Sequence, residues 1–213
     1  MTYLTVGTSE ILKKSFIPIQ DSILKGSIKP SGGLWMTEFD VNLPTYNCWV
    51  DYILEHPYIL FYKNKSKNPF HQPCSIITLK QNAKIFYLST KEQYKYLLQN
   101  YQKERDKFSF EKLSNDYDGI YINLFSLSKD IKIEQMNLFS TFGVNTLILF
   151  HPNCIDYYYS GMIHIDPFDY ECKLNSEFIY YNIEWEQEKK YIEPKTKQIL
   201  IKTIEQSRKY NTY

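Results

Sequence analysis

The stretch Lys29-Pro30-Ser31-Gly32-Gly33-Leu34-Trp35-Met36-Thr37 reads as a turn that launches a strand. Proline fixes one φ, the paired glycines admit positive φ, and Leu34 to Thr37 suits a pleated surface. Upstream, Tyr3 to Val6 is another short strand, closed by Gly7, with Ser9 placed to cap a helical run from Glu10 to Phe16. A strand that enters a helix through Gly7-Thr8-Ser9 leaves backbone N–H groups at the turn, which suits an anion or a ribose. Far downstream, Phe142 to Phe150 is a third strand of this kind, stopped by Pro152.

Between and beyond these anchors, Tyr46, Trp49, Val50, Ile53 and Leu54 fall on one helical face, and His56-Pro57 ends that helix. Tyr58 to Tyr62 reads as a strand and Lys63 to Gln72 as a polar loop. Ser75 to Leu79 and Lys84 to Leu88 are strands joined by the turn Gln81-Asn82. Thr90 opens a helix to Tyr101, and the charges from Lys103 to Lys112 predict a solvated stretch. Asp116 to Gly119 turns into a strand over Ile120 to Phe125, followed by a polar excursion from Ser126 to Gln135. Met162 to Ile165 and Phe178 to Tyr181 are further strands, and Lys195 to Tyr210 is a lysine-rich amphipathic helix. Strands outnumber helices and the two do not alternate one for one. The expected class is therefore α+β, with a mixed, mostly antiparallel sheet and a few flanking helices.

Composition narrows the function. Apolar residues at 43% and aromatics at 17% supply a real core and exclude a disordered chain. A net charge of +1, with Arg105 and Arg208 the only arginines, offers neither a field nor bidentate forks for nucleic acid. Cys48, Cys74, Cys154 and Cys172 stand apart without ligand spacing, so reduced thiols of a cytoplasmic protein are expected, and no metal. No apolar run is long enough for a membrane span. His56, His71 and His151 sit at element ends or in loops, where surface roles are expected, and His164 alternates with apolar residues. There is no dinucleotide fingerprint, P-loop or Gly-x-Ser-x-Gly elbow.

Taken in order, Tyr3 to Ser9, Gly33 to Thr37, Tyr117 to Ile122 and Val144 to Ile155 resemble the core strands of the ADP-ribosyltransferase superfamily. The resemblance covers residues 1–155 as a core, leaving 156–213 as a C-terminal strand and helix extension of the same domain. It implies that NAD, as substrate, is clamped between the Thr5 to Ser9 strand end and the Leu34 to Thr37 strand. Backbone groups of Gly7 and Thr8 would hold the nicotinamide amide, Trp35 would stack on its ring, and Thr37 would bond a ribose hydroxyl. Thr146, with Asn145 beside it, falls where the family has its catalytic glutamate. Val6 likewise stands where histidine is common, and Trp35 where tyrosine is. A threonine hydroxyl offers a hydrogen bond but no charge to an oxocarbenium-like sugar. Either a nearby acid (Glu38, Asp40 or Asp118) substitutes, or catalysis is weak or absent.

Two functions follow from the resemblance. One is an enzyme that transfers ADP-ribose to a macromolecular acceptor, protein rather than nucleic acid. The other is the same fold kept as an inactive protein-binding or inhibitory module. Each motif also has a purely structural reading: Gly32-Gly33 as a turn into a core strand, Gly7-Thr8-Ser9 as a helix cap, and Asn145 and Thr146 as side chains serving a local turn.

Overall fold

The computed structural model describes residues 2–8, 10–11, 16–24, 26–39, 71–165 and 181–192, with backbone alone for 165 and 181–185. The helices expected at 45–55 and 195–210 and the strand expected at 58–62 lie outside the described residues. In chain order the strands and helices are β1 (Thr2–Val6), β2 (Leu34–Glu38), β3 (His71–Leu79), β4 (Ile85–Leu88), α1 (Lys91–Tyr101), β5 (Gln102–Glu104), β6 (Lys107–Phe108) and α2 (Phe110–Leu113). They continue with β7 (Gly119–Ile122), α3 (Leu124–Ser128), α4 (Ile133–Met136), β8 (Thr146–Leu149), β9 (Ile155–Ile165) and β10 (Tyr181–Trp185).

Among the described residues, eight strands form one sheet in the order β10-β9-β3-β1-β2-β8-β7-β4, and β5 and β6 make a separate hairpin. Every pair in the large sheet is antiparallel except β4 with β7. This is the expected α+β class with a mixed, mostly antiparallel sheet. β9 and β10 continue the sheet that holds β1 and β3.

The sheet has two halves, β10-β9-β3-β1-β2 and β2-β8-β7-β4, with β2 common to both. On one face Tyr3, Leu34, Met36, Ile77, Tyr121, Leu147, Leu149 and Tyr158 belong to a single core cluster. We call this the inner face.

On the opposite, outer face of the β2-β8-β7-β4 half, Leu88, Ile120, Ile122, Ile148 and Phe150 pack against Tyr94, Leu97, Phe108, Phe110 and Phe139. Burying each such side chain stabilises the fold by about 1.5–3 kcal/mol. The helix α1 forms because Thr90 and Gln93 make a reciprocal capping box and because Tyr94, Leu97 and Tyr101 share one side.

Several expected boundaries move. The run from Lys103 to Lys112 is not a solvated stretch: it holds β5, β6 and most of α2, and Phe108 and Phe110 are buried. Two phenylalanines set among charges drive the segment inward despite its polarity. β3 begins at His71 rather than Ser75, because His71 to Thr78 pairs residue for residue with β9. The turn at Gln81-Asn82 does not join a hairpin, since β4 crosses to the other half and runs parallel to β7. The strand expected over Ile120 to Phe125 stops at Ile122, where Asn123 accepts the Ser126 N–H and starts α3. α3 and α4 then occupy what read as a polar excursion. Glu10, Ile11 and Phe16 lie in non-regular backbone, and Thr8 Oγ1 instead closes a local turn with the N–H and C=O of Glu10.

Candidate functional site

Of the four segments that carry the resemblance, three lie on the neighbouring strands β1, β2 and β8, and the fourth, Tyr117 to Ile122, supplies β7 beside β8. Tyr3 pairs with Glu38 and Leu4 with Thr37; Trp35 pairs with Ile148 and Met36 with Leu147. Because side chains alternate along a strand, these registers assign each candidate to a face. Trp35, Thr37 and Thr146 share the outer face with Leu4 and Ile148. Thr5 and Glu38 share the inner face with Tyr3 and Met36.

The early turn is engaged within the fold. Gly7 adopts φ +98° and donates its N–H to Pro73 O at 2.7 Å. Thr5 is buried opposite Ser75, whose hydroxyl donates to Thr8 O at 3.1 Å. Thr8 Oγ1 donates to Glu10 O at 2.8 Å.

The second strand is occupied as well. Residues 16–20 run beside residues 31–33: Gly33 N–H donates to Ile17 O at 2.8 Å, and Gln20 and Ser31 exchange backbone hydrogen bonds at 2.9 Å. A β-carbon on Gly32 would sit 2.2 Å from Pro18 O, and one on Gly33 would sit 2.7 Å from Ile148 Cγ2. Both glycines also hold positive φ. The glycine pair thus lets backbone approach backbone. The Trp35 indole donates to Gly32 O at 2.8 Å and lies against Phe142, ring centres 5.6 Å apart. Lys29 Nζ stands 5.0 Å from the Trp35 ring and 6.0 Å from the Phe142 ring, and donates to Thr141 O at 2.9 Å.

At the start of β8, Thr146 is fully buried and its hydroxyl donates to Val144 O at 2.8 Å. Asn145 Oδ1 accepts the Leu124 N–H at 2.8 Å and lies 3.5 Å from the Phe125 N–H, helping to start α3. Thr37 is buried, with its hydroxyl 3.2 Å from Glu38 O. Glu38 is exposed on the face opposite Thr146, beside Tyr3. Burial, the Tyr87 hydrogen bond and the nearby Glu38 charge all raise the Tyr3 pKa. Asp118 lies at the other end of β8, since its neighbour Gly119 pairs with Leu149 and its own C=O accepts the Phe150 N–H at 2.7 Å. Asp40 and Ser9 lie outside the described residues. Neither Glu38 nor Asp118 stands beside Thr146.

Elsewhere, Cys74 and Cys154 are buried free thiols. Burial pushes each up to about 12. His151 Nε2 is 2.8 Å from Ser114 O, and His71 and His164 meet edge to face across β3 and β9, ring centres 4.7 Å apart. His56 lies outside the described residues. Among the described residues, no three His, Cys, Asp or Glu side chains converge, and no helix is long and apolar enough to cross a membrane.

Two participants escaped the sequence reading. Lys29, quoted within the glycine segment, gave no sign that it would cover Trp35; its proximity to a proline turn was the available hint. Asp21 reinforces the Ser109 cap of α2 from 89 positions away, accepting from Phe110 N–H at 2.6 Å, and nothing local in the sequence signals it. Set against models of known families, curated proteins and solved structures, the chain matches none of them.

Proposed function

We propose that the chain is a non-catalytic binding module built on an ADP-ribosyltransferase-like frame. The family reading is supported by the adjacency of β1, β2 and β8, which gathers segments far apart in sequence. The absence of transfer chemistry is supported above all by Thr146. Its hydroxyl is buried and bonded to Val144 O, while Glu38 lies on the opposite face and Asp118 at the far end of the strand. A developing sugar cation would therefore meet no carboxylate from these three positions.

Trp35 supports the same reading. Nicotinamide in NAD carries positive charge, and the Lys29 ammonium already lies over the indole. A like charge there opposes a stacked pyridinium.

The test is titration of the purified chain with NAD by calorimetry, together with an assay for released nicotinamide. No heat and no release are expected. Saturable heat with release of nicotinamide would restore the transferase reading, with NAD as substrate and a protein acceptor. Trp35→Ala, checked for folding, should leave the biological effect unchanged if the chain acts by binding at another surface.

A further inference from the structure

β3 and β9 pair antiparallel without a shift from His71 to Thr78, so His71 stands directly opposite His164. Two residues far apart in sequence are thereby brought side by side at one end of the strand pair. Alternation puts both on the face that carries Pro73, Ser75 and Ile77 on β3 and Tyr158, Ser160 and Met162 on β9. That face grades from core to surface. Ile77 and Ser75 are buried, Pro73 is half-buried and His71 is exposed. On β9, Tyr158 and Ser160 are buried, Met162 is exposed and His164 is half-buried. The two imidazoles therefore meet at the rim of the inner face, within reach of solutes. The next pair inward, Pro73 with Met162, carries no charge.

The two rings lie edge to face, with centres 4.7 Å apart and planes at 77°. An imidazole nitrogen binds a late-transition ion at about 2.0–2.1 Å, which puts the ion about 3.2 Å from the ring centre. Two imidazoles on one ion, at N–metal–N angles of about 90° to 109°, therefore have centres about 4.5–5.2 Å apart. The observed spacing falls inside that window. Rotation of the rings about their own side-chain bonds, with the strand register unchanged, is enough for both to reach one ion.

We propose that His71 and His164 form a cross-strand chelate for a divalent late-transition ion of the zinc, nickel and copper class. Each ring gives one nitrogen lone pair. The remaining coordination positions are filled by water or an outside ligand, since among the described residues no three His, Cys, Asp or Glu side chains converge. Nitrogen donors favour these ions over magnesium and calcium, which take oxygen. Because the donors sit on two strands, a bound ion staples this end of the β3–β9 pair. Cysteine spacing gave no sign of the site, since its donors become neighbours only through strand pairing. The site lies on β3 and β9, not on β1, β2 or β8, and does not depend on the binding-module reading.

The test uses the full chain, its accessible thiols alkylated, titrated by calorimetry with zinc ion alone. Zinc should bind saturably and magnesium should not. His71→Asn and His164→Asn should each weaken zinc binding at least ~10-fold, because the loss of either ring leaves a single donor. The melting temperature should rise with zinc in the unaltered chain and stay level in His71→Asn. His71 is exposed at the start of β3, so its replacement leaves the core intact. Should His164→Asn fail to fold, nuclear magnetic resonance of the unaltered chain decides, with the ring signals of both histidines expected to move together as zinc is added. No binding at about 1 mM zinc, a shift confined to one ring, or unchanged affinity in either variant would each overturn the proposal. Binding that survives in His71→Asn at full strength would assign the ion to other donors.

Discussion

The Lys29 ammonium covers the Trp35 indole at 5.0 Å while donating to Thr141 O at 2.9 Å, so a single side chain ties the glycine turn to the segment before β8. A cation over an aromatic ring contributes about 0.5–1 kcal/mol at such sites, and a net hydrogen bond about 1 kcal/mol. Lys29→Met should therefore lower stability in urea by about 1–2 kcal/mol. Combining it with Trp35→Phe should reveal coupling between the two positions. Additive effects would show that the ring contact is energetically silent.

Thr146 provides a sharper probe of function. Thr146→Val keeps shape and loses one hydroxyl, at an expected cost of about 1 kcal/mol. Thr146→Glu supplies the carboxylate that the proposed ADP-ribosyltransferase-like reading calls for but places it in a fully buried strand position. Burial of that charge should cost more than about 3 kcal/mol or prevent folding. Thermal melts of the three proteins check this. A stable Thr146→Glu chain that releases nicotinamide from NAD would mean that a working site needed only the acid.

The Asp21 carboxylate holds the loop before β2 against α2. Its Oδ1 accepts from Phe110 N–H at 2.6 Å and from Glu111 N–H at 3.3 Å, while Glu111 Oε1 accepts from Asp21 N–H at 3.0 Å. Lys103 adds an ion pair at 3.8 Å. Asp21→Ala should cost about 1–2 kcal/mol, the scale of a lost helix cap. Exchange of the Phe110 and Glu111 amides should quicken in the same variant, and unchanged exchange would deny the cap its role.

Alkaline pH should expose the buried thiols. Burial raises Cys74 and Cys154 from an ordinary value near 9 to about 12. The unfolded chain therefore gives up these protons first. Stability is intact below pH 9 and declines as pH climbs toward 12, by up to about 1.4 kcal/mol per pH unit for each thiol. Tyr94, raised to about 12 mainly by burial, acts in the same direction above pH 10. Urea midpoints measured at rising pH check the sign. Peptide mapping after thiol labelling at mild pH should find Cys74 and Cys154 unmodified in the folded chain.

Much of the frame was legible in the sequence. Tyr3 to Val6 and Leu34 to Thr37 alternate or run apolar beside glycine punctuation, so their strands could be read locally, whereas the strand expected over Phe142 to Phe150 is confined to Thr146–Leu149 because residues 142–145 lead into it without pairing. The helix from Thr90 was legible for the same reason: Thr90 and Gln93 cap it in place. What escaped depends on partners distant in the chain. Asn123 ends β7 with help from Asn145, and Asp21 adds to the Ser109 cap of α2 across 89 positions. Phe108 and Phe110 bury themselves because Tyr94 and Phe139 await them, although their own neighbours are charged. Within the candidate site, the proximity of the three strands could be anticipated. The face each side chain takes could not, because a register is fixed only by the pairing itself.

One strand belongs to both halves of the sheet, and this sets the order in which the chain can assemble. β2 meets β1 early, but Trp35 must wait for Ile148 before its other edge is closed. During synthesis the N-terminal strands emerge long before β8 and β9, leaving a hydrogen-bonding edge open for the time needed to make more than half the chain. Pairings of such wide sequence separation carry a large loop-closure cost and slow the search. Folding on the millisecond-to-second scale is the natural expectation, with the nascent chain most vulnerable to aggregation until β8 docks.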